Sequence, residues 1–159
     1  MSLLAKPTLR AELVTRLAAD LDTLERAHRA ALEGATHEEA KAENDKDTRA
    51  LEASYLARGQ AARIEELRST LAAVTTMPLR DFQDRPAALG ALVTLEEDGV
   101  ESTLLLAPGG GGERLGGATV QVVTPASPLG RAVLGKQAGE EVEVVLAGKT
   151  RSMQVVRVT

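Results

Sequence analysis

The chain has 159 residues, a formal net charge of −4, 26% charged and 43% hydrophobic residues, a balance that suits one domain or two small ones and excludes a disordered chain. It contains no cysteine, which excludes disulfides, zinc–thiolate sites and cysteine nucleophiles and is compatible with a reducing cytoplasm. Acid and base are mixed in both halves, so no face basic enough to hold DNA or RNA is expected, and no apolar run approaches the ~20 residues of a membrane span.

The opening MSLLAKPTLRAEL has no long apolar core and no small-residue cleavage site, so no signal peptide is expected. Leu9, Leu13, Leu17, Leu21 and Leu24, then Ala27, Ala31 and Leu32, recur in steps of three and four, the stripe of a coiled-coil seam. Thr8 is a fitting cap for this first helix, and Gly34 stands where it should end. A second helix is predicted over about 48–74, with Leu51, Tyr55, Ile64, Leu67, Leu71 and Val74 on its stripe and Thr75-Thr76-Met77-Pro78 stopping it. Neither helix has a core of its own, so the two should pair antiparallel, as arms roughly 35–40 Å long.

Between the helices lies THEEAKAENDKDTRALEASY, residues 36–55. Its acids Glu38, Glu39, Glu43, Asp45, Asp47 and Glu52 outnumber Lys41, Lys46 and Arg49. Acids favour helix N-termini and solvated turns on their own account. Asp45 and Asp47 are also short, close together and near the expected apex, which suits them to hold a hard cation.

After Pro86 the period changes to two. Strands are predicted near 89–96, 101–107, 118–124, 141–147 and 151–158, forming an antiparallel sheet. One short helix should interrupt it, with Ser127 as cap, Pro128 in the first turn and Gly135 just past the end. The domain boundaries that follow are a hairpin over 1–75, a linker over 76–88 and a sheet domain over 89–159.

Several motifs carry less than they promise. Leu146-Ala147-Gly148-Lys149-Thr150 ends like a phosphate loop, but Glu143 stands where the earlier glycine belongs, so a hairpin turn is expected. Gly109–Gly112 reads as a flexible loop. His28 and His37 lack zinc-binding spacing and read as surface residues, and Tyr55 as part of the seam.

The run Ser127-Pro128-Leu129-Gly130-Arg131-Ala132-Val133-Leu134-Gly135-Lys136, then Gly139 and Val142–Val145, resembles the C-terminal domain of the Gre family of bacterial transcription elongation factors, GreA and GreB. The resemblance implies an α+β fold, an antiparallel two-helix coiled coil followed by a small antiparallel sheet domain like that of FK506-binding proteins, and it covers essentially the whole chain. No Phe, Tyr or Trp lies beyond residue 87, so the aromatic pocket of a prolyl isomerase is not expected. Glu39-Ala40-Lys41-Ala42-Glu43-Asn44 is similar to the family's tip motif, with a glutamate for its aspartate and one residue more.

The resemblance implies an accessory factor rather than an enzyme. It would act as a cytoplasmic monomer, bind RNA polymerase, insert its hairpin into the secondary channel, stimulate cleavage of backtracked transcripts and touch nascent RNA only indirectly. It would need no cofactor of its own and would share the polymerase's second Mg²⁺. Glu43, Asp45 and Asp47 are the candidate ligands, with Glu39 as a further candidate assisting the chemistry. Asn44, Arg49, Ser127, Pro128, Arg131 and Lys136 are the candidate polymerase contacts. Two alternatives stay open: a channel-binding regulator without cleavage activity, and a plain protein-interaction module.

Overall fold

The computed structural model describes residues 5–41 and 46–159, and the side chains of 5–34 and 49–159. Two long helices come first, α1 (Lys6–Lys41) and α2 (Lys46–Thr75). α1 does not stop at Gly34 but runs seven residues further. A glycine inside a helix costs only about 1 kcal/mol relative to alanine, too little to end one by itself.

The chain divides into two compact units, Met1–Val14 with Ala72–Thr159, and Thr15–Leu71. The first holds a six-stranded sheet: β1 (Leu92–Glu97), β2 (Val100–Leu106), β3 (Arg114–Leu115), β4 (Val120–Val123), β5 (Glu141–Leu146) and β6 (Lys149–Val158). A short helix, α3 (Pro128–Val133), stands between β4 and β5. The spatial order is β3-β4-β2-β1-β6-β5. The sheet is mostly antiparallel but not wholly so, because β2 and β4 pair in parallel from Thr103↔Val120 to Leu106↔Val123. The expected strand over 118–124 is in fact β4 alone, preceded by the two-residue β3 that pairs with it. Alternation in a sequence reports which face a residue takes, not which way the neighbouring strand runs.

Two hairpins close through two-residue turns at left-handed φ: Asp98 (53°) with Gly99 (80°), and Ala147 (52°) with Gly148 (77°). The second is the phosphate-loop look-alike, and Leu146↔Lys149 pair directly across it.

The sheet buries residues on both faces. On one, Val93, Leu95, Leu104, Leu106, Val142, Val144 and Val155 pack with Val133 of α3 and with Phe82 and Ala87. The strand registers place Leu105, Val120 and Val122 on the other face, where all three are buried. The first turns of α1 belong to this unit, with Leu9 and Leu13 buried. Lys6 Nζ donates to Arg80 O (2.6 Å) and Gly90 O (3.0 Å) and sits 4.7 Å from the Phe82 ring centroid. Arg10 donates to Met77 O at 2.7 Å, and Gly116 N–H donates to Glu12 Oε2 at 3.0 Å. Residues 76–88 therefore carry buried Met77, Phe82 and Ala87 and receive two basic side chains.

Candidate functional site

In the helical unit the seam of α2 differs from the predicted stripe. Its inward residues are Ala50, Ala53, Ala57, Gln60, Ile64, Leu67 and Leu71, in unbroken steps of three and four; Ile64 is buried and the others half-buried. Leu51 and Tyr55, expected inside, are 55% and 61% exposed. The Arg58 guanidinium lies 5.8 Å from the Tyr55 ring centroid, so the ring is wet on one side and partnered by a cation. On α1 the matching stripe is buried Leu17, then half-buried Leu21, Leu24, His28 and Ala31. His28 is thus a seam residue rather than a surface one. Its Nδ1 lies 3.1 Å from Gln60 Oε1, and Arg68 lies 3.7 Å from Glu25. Earlier residues of α1 meet later residues of α2, which makes the pair antiparallel. Large apolar residues fill the seam as far as Leu24 and Ile64, and His28, Gln60 and alanines continue it.

The candidate tip side chains, Glu39, Glu43, Asn44, Asp45 and Asp47, lie outside the described residues, as does His37. Arg49 is exposed on α2. Among the described residues no cluster of three His, Cys, Asp or Glu side chains could hold a metal ion.

The other candidates meet at α3, and their local chemistry accounts for the motif. Ser127 Oγ accepts from Gly130 N at 3.1 Å and donates to Thr124 O at 2.8 Å, so the hydroxyl caps the helix and closes the preceding turn. Pro128 starts the helix, where a missing N–H is harmless. A Cβ on Gly130 would overlap the Thr124 carbonyl, so no larger residue fits there. Gly135, at φ 82°, donates to Ala87 O at 2.7 Å, and Lys136 O accepts from Ala87 N at 2.8 Å. Ser127, Gly130 and Gly135 are thus occupied internally. Pro128 and Arg131 are exposed, Lys136 is half-buried, and Leu134 beside them is 43% exposed.

An open groove of about 450 Å³ runs between α3 and β5, lined by Pro128, Arg131, Ala132, Glu143, Val144 and Val145. Ala132, Glu143 and Val145 were not site candidates in the sequence. A signal was nonetheless present: Val145, 60% exposed, puts an apolar residue where the alternation with Glu141 and Glu143 calls for a polar one.

On β6, directly across from Val144, Arg151 grips Glu97 with both Nε (3.0 Å) and Nη2 (2.7 Å), and these hydrogen bonds hold the Glu97 carboxyl below its ordinary pKa. Burial pushes the Lys6 ammonium below its usual value, and nearby Asp81 opposes the shift.

Residues 86–159 match the family described as transcription elongation factor, GreA/GreB, C-term. The chain carries a Gre-family C-terminal domain. The Gre domain so defined holds every strand of the sheet and α3. No curated protein sequence matches the chain. Among solved structures it is similar to the transcription factor Gfh1, at 20% identity and a TM-score of 0.42 over 91% of this chain and 92% of that one. It is also similar to GreA factor homolog 1 of Thermus thermophilus, at 19% identity and a TM-score of 0.38 over 92% and 94% of the two chains. The GreA/GreB factor of Nitrosomonas europaea is 21% identical, with a TM-score of 0.38 over 58% of this chain and 78% of that one. Among the described residues no helix is long and apolar enough to cross a membrane.

Proposed function

We propose that the chain is a Gre-like transcription elongation factor: it binds RNA polymerase, enters the secondary channel with its helical hairpin and stimulates cleavage of backtracked transcripts. The observation that carries this reading is the Gre domain over 86–159 joined to a long antiparallel helix pair. The factor works in the cytoplasm as a monomer and as an accessory to the polymerase rather than an enzyme. It needs no cofactor of its own and meets the transcript only at the polymerase active site.

A loosely held second Mg²⁺ in such a site orients the attacking water and offsets charge on the phosphate. The chain's part is to bring hard oxygen donors to it, and one or two carboxylates suffice because Mg²⁺ keeps several waters. Glu43, Asp45 and Asp47 are those donors, and Glu39 assists the chemistry. Two helices of roughly 10 Å diameter each carry the charge down a narrow passage without filling it. Asn44 and Arg49 touch the polymerase near the catalytic centre. Pro128, Arg131 and Lys136 anchor the Gre domain outside, with Ser127 shaping the helix that presents them.

The test is a transcript-cleavage assay on stalled elongation complexes at limiting Mg²⁺, with and without the protein. Faster release of the 3′ fragment is expected. A protein that binds polymerase and never accelerates cleavage is a channel-binding regulator, and one that does not bind polymerase is a plain interaction module.

A further inference from the structure

We infer that the outer edge of β5, walled by α3, accepts an extended segment of RNA polymerase as a seventh strand of the sheet. This rests on the polymerase-binding reading above and goes beyond it by naming the mode of contact.

The sheet has two edges. One is β3, two residues long and too short to template a strand. The other is β5, six residues long. Across the two-residue turn at 147–148, Leu146 and Lys149 form the closing hydrogen-bonded pair. Alternation then turns the backbone of Val144 and Val142 toward β6, and the N–H and C=O groups of Val145, Glu143 and Glu141 toward the open side. Open edges of this length are usually blunted by charged side chains, proline or a bulge; β5 has no proline, lysine or bulge within it, and its charges are the two acids Glu141 and Glu143.

The groove beside it has the matching geometry. Glu143, Val144 and Val145 are consecutive, and consecutive strand residues face opposite sides of a sheet. A groove that all three line therefore follows the strand's edge, not one of its faces. Its other wall is Pro128, Arg131 and Ala132, spaced as one face of a helix. The backbone supplies strand pairing, and side chains set the choice of partner. Exposed Val145 asks for an apolar residue opposite, and the exposed Glu143 and Glu141 ask for a basic one two positions along. The occupant is thus an extended segment with an apolar residue and, two and four positions along on the same face, basic ones.

Two variants of the full-length protein test the idea by titration against core RNA polymerase. Val145→Pro removes a donor on the open side and leaves the bonds to β6 intact. Glu141→Lys with Glu143→Lys keeps the backbone and inverts the charge. Each should weaken polymerase binding at least about tenfold, the size of one lost hydrogen bond or charge-assisted contact. Val145→Thr, which keeps the donor and the β-branch, should stay within about threefold. Melting curves show whether each variant folds, and the charge inversion decides alone if Val145→Pro does not. Folded variants that bind like the wild type overturn the edge proposal and leave the Gre-like reading standing. A wild type that does not bind polymerase sinks both. If sedimentation shows that Val145→Pro dissolves a dimer without weakening polymerase binding, the occupant is a second copy and the proposal falls.

Discussion

The helical unit and the sheet unit hold together in different ways. The sheet buries side chains on both of its faces, from Leu95 and Leu104 on one to Leu105 and Val122 on the other. Among the described residues of Thr15–Leu71 the buried large apolar side chains are Leu17 and Ile64. The rest of that seam is half-buried leucine, alanine and one His–Gln pair. One region is built around a two-sided core, and the other around a single narrow seam.

The largest expected effect falls in the helical unit. Asp45→Asn with Asp47→Asn should abolish cleavage stimulation at limiting Mg²⁺ while stability stays within about 0.5 kcal/mol. Glu43→Gln should weaken it less, and added Mg²⁺ should partly restore each variant. Cleavage rates, polymerase titration and urea denaturation measure the three quantities, and wild-type cleavage by every variant would remove the metal role.

Next in size is truncation of the sheet core. Leu104→Ala should cost about 2–5 kcal/mol in denaturant unfolding, whereas Leu51→Ala on the exposed face of α2 should stay within about 0.5 kcal/mol. Equal costs would mean that the helical unit is packed as densely as the sheet. Smaller again, Ser127→Ala should cost about 0.5–2 kcal/mol by uncapping α3. Ser127→Asp should recover most of it, since aspartate accepts the same bond. Last comes the Glu97–Arg151 pair. Glu97 has a lowered folded pKa, so it contributes stability above the ordinary glutamate pKa, and this is lost as pH falls through the folded value. Glu97→Gln should flatten that part of the stability–pH curve, and an unchanged curve would show the pair to be inert.

Much of this was legible beforehand, and the failures have specific causes. The Ser127 cap, the Pro128 start and Gly135 past the end of α3 are local chemistry, and local chemistry reads directly from neighbouring residues. From Leu9 to Leu24 the α1 leucines read correctly because they coincide with the seam, whereas Leu32, placed on the same stripe, is 44% exposed. On α2 the larger residues misled: Leu51 and Tyr55 drew the stripe outward, while Ala50, Ala53 and Ala57 kept the exact heptad steps. Periodicity in small residues is as real as in large ones and carries less weight in any hydrophobic count. The parallel β2–β4 pair was invisible because strand alternation is blind to direction. Residues 76–88 read as linker because their anchors, Lys6 and Arg10, lie about seventy residues away. The tip acids were chosen from their chemistry and their likeness to a family motif, and they lie outside the described residues.

The position of β6 has a consequence for how the protein is made. It is the last strand in chain order, yet it sits inside the sheet, bonded to β1 on one side and β5 on the other. α1 and α2 can pair as soon as both have left the ribosome, because neither needs a residue beyond Thr75 to do so. The sheet cannot close until Val158 has emerged, and during that interval β1, β2 and β4 wait with an unpaired interior edge. Slow translation between Val123 and Val158 would lengthen that exposure, so the codons there, rather than those for the helices, should govern how much of the nascent chain aggregates.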